Sequence, residues 1–227
     1  MHNPGRDASL QPSRTFRRTA VVLGGLAVLA AVSLASGKAD DAPNEEGFVP
    51  LFDGQSLDGW VVMGKPQGWK IVDGVIHSDG AQGGEWLRSE KEYGDFILKA
   101  EWRVSKNGNS GVFIRSTRAG RPWLTGYEVQ ISNEPRDDEH CTGSLYGYAA
   151  VNPRPDESYD QWHTFEIHCV GPRIRVLSDG KQCVEFDQST NEKTKDKPRR
   201  GYIGLQDSHS PEGHSIEYRN IRIKPLD

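Results

Sequence analysis

A carboxylate, an amide and a guanidinium fall within two short stretches of the chain that otherwise look like β-strands. Gly108–Arg115 reads GNSGVFIR and ends in Arg115, and Gly126–Ser132 reads GYEVQIS and contains Glu128 and Gln130. Successive side chains of a strand point to opposite faces, so Glu128 and Gln130 share one face and the apolar residues between them share the other. We therefore expect these polar groups to stand unburied on the sheet face opposite the core, together with Arg115.

Glycines and aromatic residues accompany these polar groups, and the combination suits a sugar. Gly111 and Gly126 allow a ligand to approach the strands closely. Aromatic rings offer flat apolar surfaces for sugar C–H groups, while carboxylate, amide and guanidinium groups can bridge hydroxyls. The aromatic candidates for substrate binding are Trp123, Tyr127 and Tyr146. Lys99 is a further candidate, although its alternation in sign with Glu101 and Arg103 favours an ordinary solvated face.

Alternation at period two recurs from Gly47 to the end of the chain, and no segment there shows sustained helical spacing. The candidate strands lie at 68–78, 96–105, 110–116, 126–132, 161–170, 173–186, 201–207 and 215–226. Asp-Gly pairs at 73–74 and 179–180 separate strand-like halves and predict two tight hairpins. Many short strands without crossover helices predict an all-β fold, a two-sheet antiparallel jelly-roll sandwich.

The first 37 residues have the pattern of a secretory signal peptide. Three arginines precede the apolar run Ala20–Leu34, and small residues follow it. We expect residues 38–46 to form a disordered acidic leader and residues 47–227 to form a single domain. The protein is therefore expected to be exported, as a periplasmic or secreted protein that keeps no membrane segment after cleavage.

The charge of the mature chain bears on its partners. Residues 1–37 contain four of the 28 basic and one of the 32 acidic side chains, which leaves 24 against 31 and a net charge near −7. Nucleic acid and anionic membranes are poor partners for such a chain. A sugar or glycoside therefore remains the favoured ligand, as the aromatic rings and polar groups indicate. The sequence predicts no particular oligomeric state.

Three cysteines and one acidic loop contain residue types that can form disulfides or bind metal ions. Cys141, Cys169 and Cys183 show no CxxC or metal-ligand spacing, so both a disulfide between two of them and buried thiols remain open. The stretch 136–140 reads RDDEH and could supply oxygen and imidazole ligands to a divalent metal, but its spacing fits no known site. No cofactor is therefore predicted.

Several stretches resemble, in order, the 3-keto-disaccharide hydrolase domain family, a relative of concanavalin A-like lectins and glucanases. They are FVPLFDGQSLDGW (48–60), WKIVDGVIH (69–77), YGDFILKAEWRV (93–104), GNSGVFIR (108–115), GYEVQI (126–131), TGSLYGYAAV (142–151), QWHTFEIHCVGPRIRVLSDGK (161–181), GYIGLQD (201–207) and EYRNIRIKPL (217–226). The resemblance implies a concanavalin A-like jelly roll with a sugar-binding concave face. It also implies an activity on glycosides that are oxidised to a ketone at C3.

The implied reaction assigns roles to the polar residues. A C3 ketone acidifies the C2 hydrogen, so a base can form an enolate that expels the C1 oxygen, and water then adds to the unsaturated sugar. Glu128 is the candidate base, because a carboxylate among aromatic rings can have its pKa raised toward the working pH. Arg115 would hold a substrate oxygen or stabilise the enolate, and Gln130 and Gln206 would bind hydroxyls.

The acid for the leaving oxygen falls in the one place where the chain departs from the family pattern. Family members continue from LQD into a His-Gly pair, whereas this chain reads LQDSHSPEGHSIEYRNI and lacks that pair. Either His209 or His214 could be the acid, and the sequence does not choose between them.

Two other functions fit the same fold. A carbohydrate-binding, lectin-like domain without catalysis would use the same rings and amides. A conventional glucanase would need two carboxylates flanking one bond, and no ExDxE-like run lies on a single strand face.

Overall fold

The computed structural model describes residues 45–80, 82–210 and 213–227, and this part of the chain forms an antiparallel β-sandwich of two sheets. The predicted all-β fold is confirmed. The predicted signal peptide and the leader as far as residue 44 lie outside the described residues. No helix of the described part is long and apolar enough to cross a membrane.

Thirteen strands, one short α-helix and two 3₁₀-helices (Pro66–Gly68 and Gln188–Thr190) make up the regular structure of the described residues. They are β1 (Val49–Pro50), β2 (Trp60–Val62), β3 (Lys70–Val72), β4 (Val75–Ser78), β5 (Trp86–Tyr93), β6 (Phe96–Val104), β7 (Asn109–Ser116), α1 (Pro122–Thr125), β8 (Tyr127–Ser132), β9 (His163–Val170), β10 (Arg173–Ser178), β11 (Lys181–Asp187), β12 (Gly201–Gln206) and β13 (Ile216–Pro225). Among these residues, the back sheet has the order β11-β10-β9-β6-β13-β4-β3, with β1 added beside β13. The front sheet has the order β2-β5-β12-β7-β8.

The core lies between the two sheets and follows the alternation of the strands. In β6, every second residue from Phe96 to Val104 is buried, while the residues between them, Lys99 among them, are partly exposed. In β8, Val129 and Ile131 are fully buried in the same core. The front sheet therefore turns Glu128 and Gln130 to its outer face.

Both predicted Asp-Gly hairpins are present. Asp73 and Gly74 connect β3 to β4, and Asp179 and Gly180 connect β10 to β11. All four residues have a positive φ, between 48° and 77°, which is the conformation that two-residue turns of this kind require.

All three cysteines are buried free thiols in the described structure. Burial raises the pKa of Cys141 and Cys183 to about 11 and that of Cys169 to about 12. Thiols with such pKa values are poor nucleophiles, and these side chains act as small apolar groups in the core.

Candidate active site

The outer face of the front sheet is the floor of a cavity of about 820 Å³. Walls are contributed by Gly80 and the segments 83–86, 120–123 and 206–210, and Tyr146 adds a side chain from the long loop after β8. This volume lies in the upper part of the range for small-molecule sites, so the cavity can hold more than one sugar-sized group.

Glu128 and Gln130 lie on this floor, and both are buried, with 6% and 1% of their surfaces exposed. The expectation that they stand unburied is wrong, because the loops rise around them on the outer face. Gly111, in β7, lies opposite Gln130 and makes room for the carboxyl of Glu128. A β-carbon at Gly111 would come within 2.5 Å of Glu128 Oε1.

The electrostatic surroundings of Glu128 favour a proton-transfer role. Burial raises the pKa of Glu128 to about 8, although the charge of Arg136 acts in the opposite direction. In the amide orientation that satisfies its neighbours, Gln130 donates to Glu128 Oε1 at 3.0 Å and to the carbonyl of Ser110 at 2.9 Å. The carboxyl thus titrates near neutral pH and has a donor that supports its ionised form.

Aromatic rings form the apolar part of the cavity. The rings of Trp86 and Phe113 meet edge to face with centroids 5.6 Å apart, and Trp123 stacks on Phe113 at 6.4 Å. Gly204 lies beneath this cluster, and a β-carbon there would approach the Trp86 ring to 2.5 Å. The glycine therefore allows the rings of Trp86 and Phe113 to approach the sheet closely.

Asp207 is a second buried carboxyl at the cavity. The backbone N–H of Glu85 donates to its Oδ2 at 2.8 Å. Burial raises the pKa of Asp207 to about 6, while the Glu85 N–H and the charge of His209 act in the opposite direction. Glu128 and Asp207 thus have pKa values on either side of neutrality, the situation in which two acids can take different roles.

Three polar atoms that line the cavity lack partners in the described structure. They are Gln206 Oε1, Ser208 Oγ and Ser210 Oγ, and all three atoms are buried. Buried polar groups normally have hydrogen-bond partners, so these atoms are suited to receive the hydroxyls of a ligand.

Most of the predicted site residues come together at the cavity. The lining includes Glu128, Gln130, Gln206, Trp123, Tyr146 and His209. His214 is not among the lining residues, so of the two candidate acids only His209 lies at the cavity. The backbone N–H of His209 donates to the carbonyl of Asn109 at 2.8 Å, which holds this loop against β7.

Arg115 does not share the cavity with Glu128, and the expectation that the two project together is wrong. Its φ of 54° lies in the left-handed region, at a point where the register between β7 and β12 shifts. The guanidinium therefore turns away from the cavity, where it is fully buried and donates to Gln188 Oε1 at 3.3 Å and to Asp95 Oδ1 at 3.4 Å. This placement favours a structural role for Arg115.

Replacing Arg115 with alanine is expected to lower the free energy of unfolding by about 3 kcal/mol, because it empties the space of a fully buried side chain and removes its hydrogen bonds to Gln188 and to the partly exposed Asp95. Urea denaturation measures the change. Arg118→Ala, an exposed position in the following loop, is the matched control and should change stability by less than about 0.5 kcal/mol. Equal stability of the Arg115→Ala and Arg118→Ala variants would contradict the structural role.

Tyr127 and Lys99 also lie away from the cavity, which corrects their assignment to the substrate site. Tyr127 points into the core with its ring against Tyr148 and Phe186, as the parity of β8 requires. Lys99 lies on the outer face of the back sheet, 2.6 Å from Glu45 and 3.3 Å from a second carboxylate. Strand parity puts Tyr127 and Glu128 on opposite faces of β8, so Tyr127 faces the core. The alternation of charge sign around Lys99 indicates a solvated face.

Several lining residues were not singled out from the sequence. They are Glu85, Trp86, Asn109, Arg121, Asp207, Ser208 and Ser210. The quoted motif GYIGLQD contains Asp207 directly after the predicted Gln206, so a carboxylate next to a binding amide was an available signal. In the RDDEH loop, His140 Nδ1 lies 2.6 Å from Asp137 Oδ1. No three His, Cys, Asp or Glu side chains within the described ranges are grouped so as to hold a metal ion.

Comparison with known proteins gives one family and several relatives. The profile of the 3-keto-alpha-glucoside-1,2-lyase-like domain matches residues 47–224. A 3-keto-disaccharide hydrolase of Bacteroides thetaiotaomicron is 25% identical, over 80% of this chain and 79% of the relative.

Solved structures share the architecture. A candidate glycosyl hydrolase of Parabacteroides distasonis superposes with a TM-score of 0.67 at 25% identity, over 79% of this chain and 99% of that chain. The exoplasmic/lumenal domain of VIP36, solved with Ca²⁺ and Man3GlcNAc bound, gives a TM-score of 0.55 at 10% identity, over 80% of this chain and 89% of that chain. At such identity the second likeness concerns the fold alone.

Proposed function

Because the chain belongs to the 3-keto-alpha-glucoside-1,2-lyase-like domain family, and so to the carbohydrate-active enzymes, we propose that it cleaves glycosides oxidised to a ketone at C3. The observation that carries this proposal is Glu128, a buried carboxyl on the floor of a cavity lined by aromatic rings and amides. A base in such a setting suits the removal of a proton from carbon, which a ketone next to that carbon makes acidic.

The proposed reaction proceeds by elimination. Glu128 takes the C2 proton, the C3 carbonyl receives the electron pair as an enolate, and the enolate expels the C1 oxygen with its bonding electrons. A 2-hydroxy-3-keto-glucal remains, and water adds across its double bond to give the free 3-keto sugar. The sum of the two steps is hydrolysis of the glycosidic bond.

Amides and a histidine complete the proposed site. Gln130 uses both of its N–H groups to hold Glu128 and the Ser110 carbonyl. Asn109 and Gln206 line the cavity with Glu128 and can donate to the sugar oxygens, including the oxygen that becomes negative in the enolate. Since Arg115 points elsewhere, these neutral donors take over the stabilising role. His209 is an exposed residue of the cavity lining and remains the candidate acid for the departing oxygen.

One comparison of substrates tests the proposal. The purified protein is incubated with a 3-keto-disaccharide and, separately, with the same disaccharide unoxidised, and release of the second sugar is followed. Cleavage of the keto form alone supports the proposal. Binding of both without cleavage would favour a lectin-like domain, and cleavage of the unoxidised sugar would favour a conventional glycosidase.

The pH dependence of kcat/KM should report the ionisation of Glu128. A base acts only when ionised, so with a pKa of about 8 we expect kcat/KM to rise about tenfold per pH unit from pH 6 and to level off above pH 8. Initial rates between pH 5.5 and 9.5 measure the profile. A kcat/KM that instead falls as the pH rises through 8 would assign Glu128 as an acid.

A further inference from the structure

The cavity floor is chemically divided along the direction of β7. Asn109 and Phe113 both face the cavity and, at about 3.3 Å per residue, lie about 13 Å apart. The loop of His209 is bonded to the Asn109 end of the strand. The opposite end continues from Phe113 to the connection with β8, which contains Arg121 and Trp123.

The Asn109 end is polar and carries unsatisfied atoms. Gln206 Oε1, Ser208 Oγ and Ser210 Oγ are buried there without partners in the described structure. A ring with several hydroxyls would satisfy them, and an apolar group would leave them unpaired at a cost of about 1–3 kcal/mol each. This end is therefore suited to the oxidised sugar.

The Trp123 end has the opposite character. Trp123 stacks on Phe113, and the guanidinium of Arg121 lies 5.8 Å from the centre of the Trp123 ring. Arg121 is exposed, forms no ion pair with any described residue, and is the one Arg or Lys side chain among the described residues that line the cavity. A flat ring that carries negative charge fits this combination of aromatic face and free cation.

The carboxyl of Glu128 lies between the two ends, since its Oε1 is 2.5 Å from the position of a β-carbon at Gly111, midway between Asn109 and Phe113. C2, from which the base takes the proton, is bonded to C1, which carries the leaving group. With the sugar hydroxyls in the polar end and C2 at Glu128, the leaving group extends towards Arg121 and Trp123.

We propose that Arg121 and Trp123 form a leaving-group subsite that selects 3-keto-glycosides whose aglycone is an anionic aromatic ring. This inference rests on the proposed function. In the reaction the C2 proton passes to Glu128, the C1–O bond breaks, and its electron pair leaves on the phenolic oxygen. Arg121 binds the separate anionic group of the ring and so determines specificity.

The test compares three 3-keto-glucosides, of phenol, of 4-hydroxybenzoate and of glucose, each as the α- and the β-anomer. The kcat/KM of each is measured for the wild type and for Arg121→Ala, Arg118→Ala and Trp123→Ala. For each protein, kcat/KM for the benzoate substrate is divided by kcat/KM for the phenol substrate. Comparing this benzoate-to-phenol ratio between the wild type and a variant cancels the intrinsic difference between the two leaving groups. Arg118 is the matched control, because it is exposed in the same loop and does not line the cavity.

We expect Arg121→Ala to lower the benzoate-to-phenol ratio about tenfold, the size of a hydrogen bond to a charged group, and Arg118→Ala to leave it within twofold. Trp123→Ala should lower kcat/KM for both aryl substrates about tenfold and for the disaccharide by less than threefold. Cleavage of all three substrates with an unchanged ratio in Arg121→Ala would overturn this inference alone. Cleavage of none by the wild type would overturn the proposed function and the inference with it.

Discussion

Glu128→Gln is expected to reduce kcat for a 3-keto-glycoside by about 10²–10⁴-fold while KM changes little. This is the usual contribution of a positioned general base, and the glutamine amide cannot accept a proton from carbon. The buried site holds either side chain with nearly the same shape, so substrate binding should persist. Circular dichroism confirms that the variant is folded before its rates are compared.

Exchange of the C2 hydrogen separates loss of the base from other causes of inactivity. In D₂O the wild type should incorporate deuterium at C2 of the 3-keto sugar, which proton NMR detects even when no bond is cleaved. Glu128→Gln should abolish the exchange, whereas Glu90→Gln, an exposed carboxyl of β5, should leave it unchanged. Exchange at the wild-type rate in Glu128→Gln would remove Glu128 from the role of base.

Strand parity explains why part of this site could be predicted from sequence. Val129 and Ile131 mark the core side of β8, so Glu128 and Gln130 had to share the other face. The same rule placed Gln206 opposite Leu205 in β12. Parity cannot predict how deeply Glu128 is buried, because the loops that cover it come from distant parts of the chain.

Arg115 shows where parity fails. One left-handed residue in a strand reverses the face of its own side chain, and arginine gives no local signal for that conformation, as glycine or asparagine would. The rule holds for Phe113, two residues earlier, and breaks at the register shift. The bulge depends on how β7 pairs with β12, and the sequence of β7 alone does not show that pairing.

The sequence did not predict β5 as a strand, for a related reason. Its burial pattern has four consecutive buried residues, Trp86 to Ser89, so both of its faces are covered and no alternation is visible. This strand contributes Trp86 to the cavity. Arg121 and Asp207 lie in loops, where side-chain direction depends on tertiary contacts such as the hydrogen bond between Asp207 and the Glu85 backbone.

The free energy of unfolding should also depend on the ionisation of Glu128. In an unfolded chain the pKa of Glu128 is near the ordinary value of 4.5, whereas burial raises this pKa to about 8 in the folded protein. Between these values the unfolded state binds fewer protons than the folded state, so raising the pH favours unfolding. The stabilising contribution of neutral Glu128 is fully present below pH 4.5 and is lost by about pH 8.

Glu128→Gln removes this titration and no other. Relative to the wild type, the variant should therefore gain about 3 to 5 kcal/mol of unfolding free energy between pH 4 and pH 9, at about 1.36 kcal/mol per unit of pKa shift. Urea denaturation of both proteins across this range measures the difference, in which all other titrating groups cancel. A difference that stays constant with pH would mean that Glu128 has the same pKa in the folded and unfolded protein, and the cavity would then lack a base whose pKa is raised by burial.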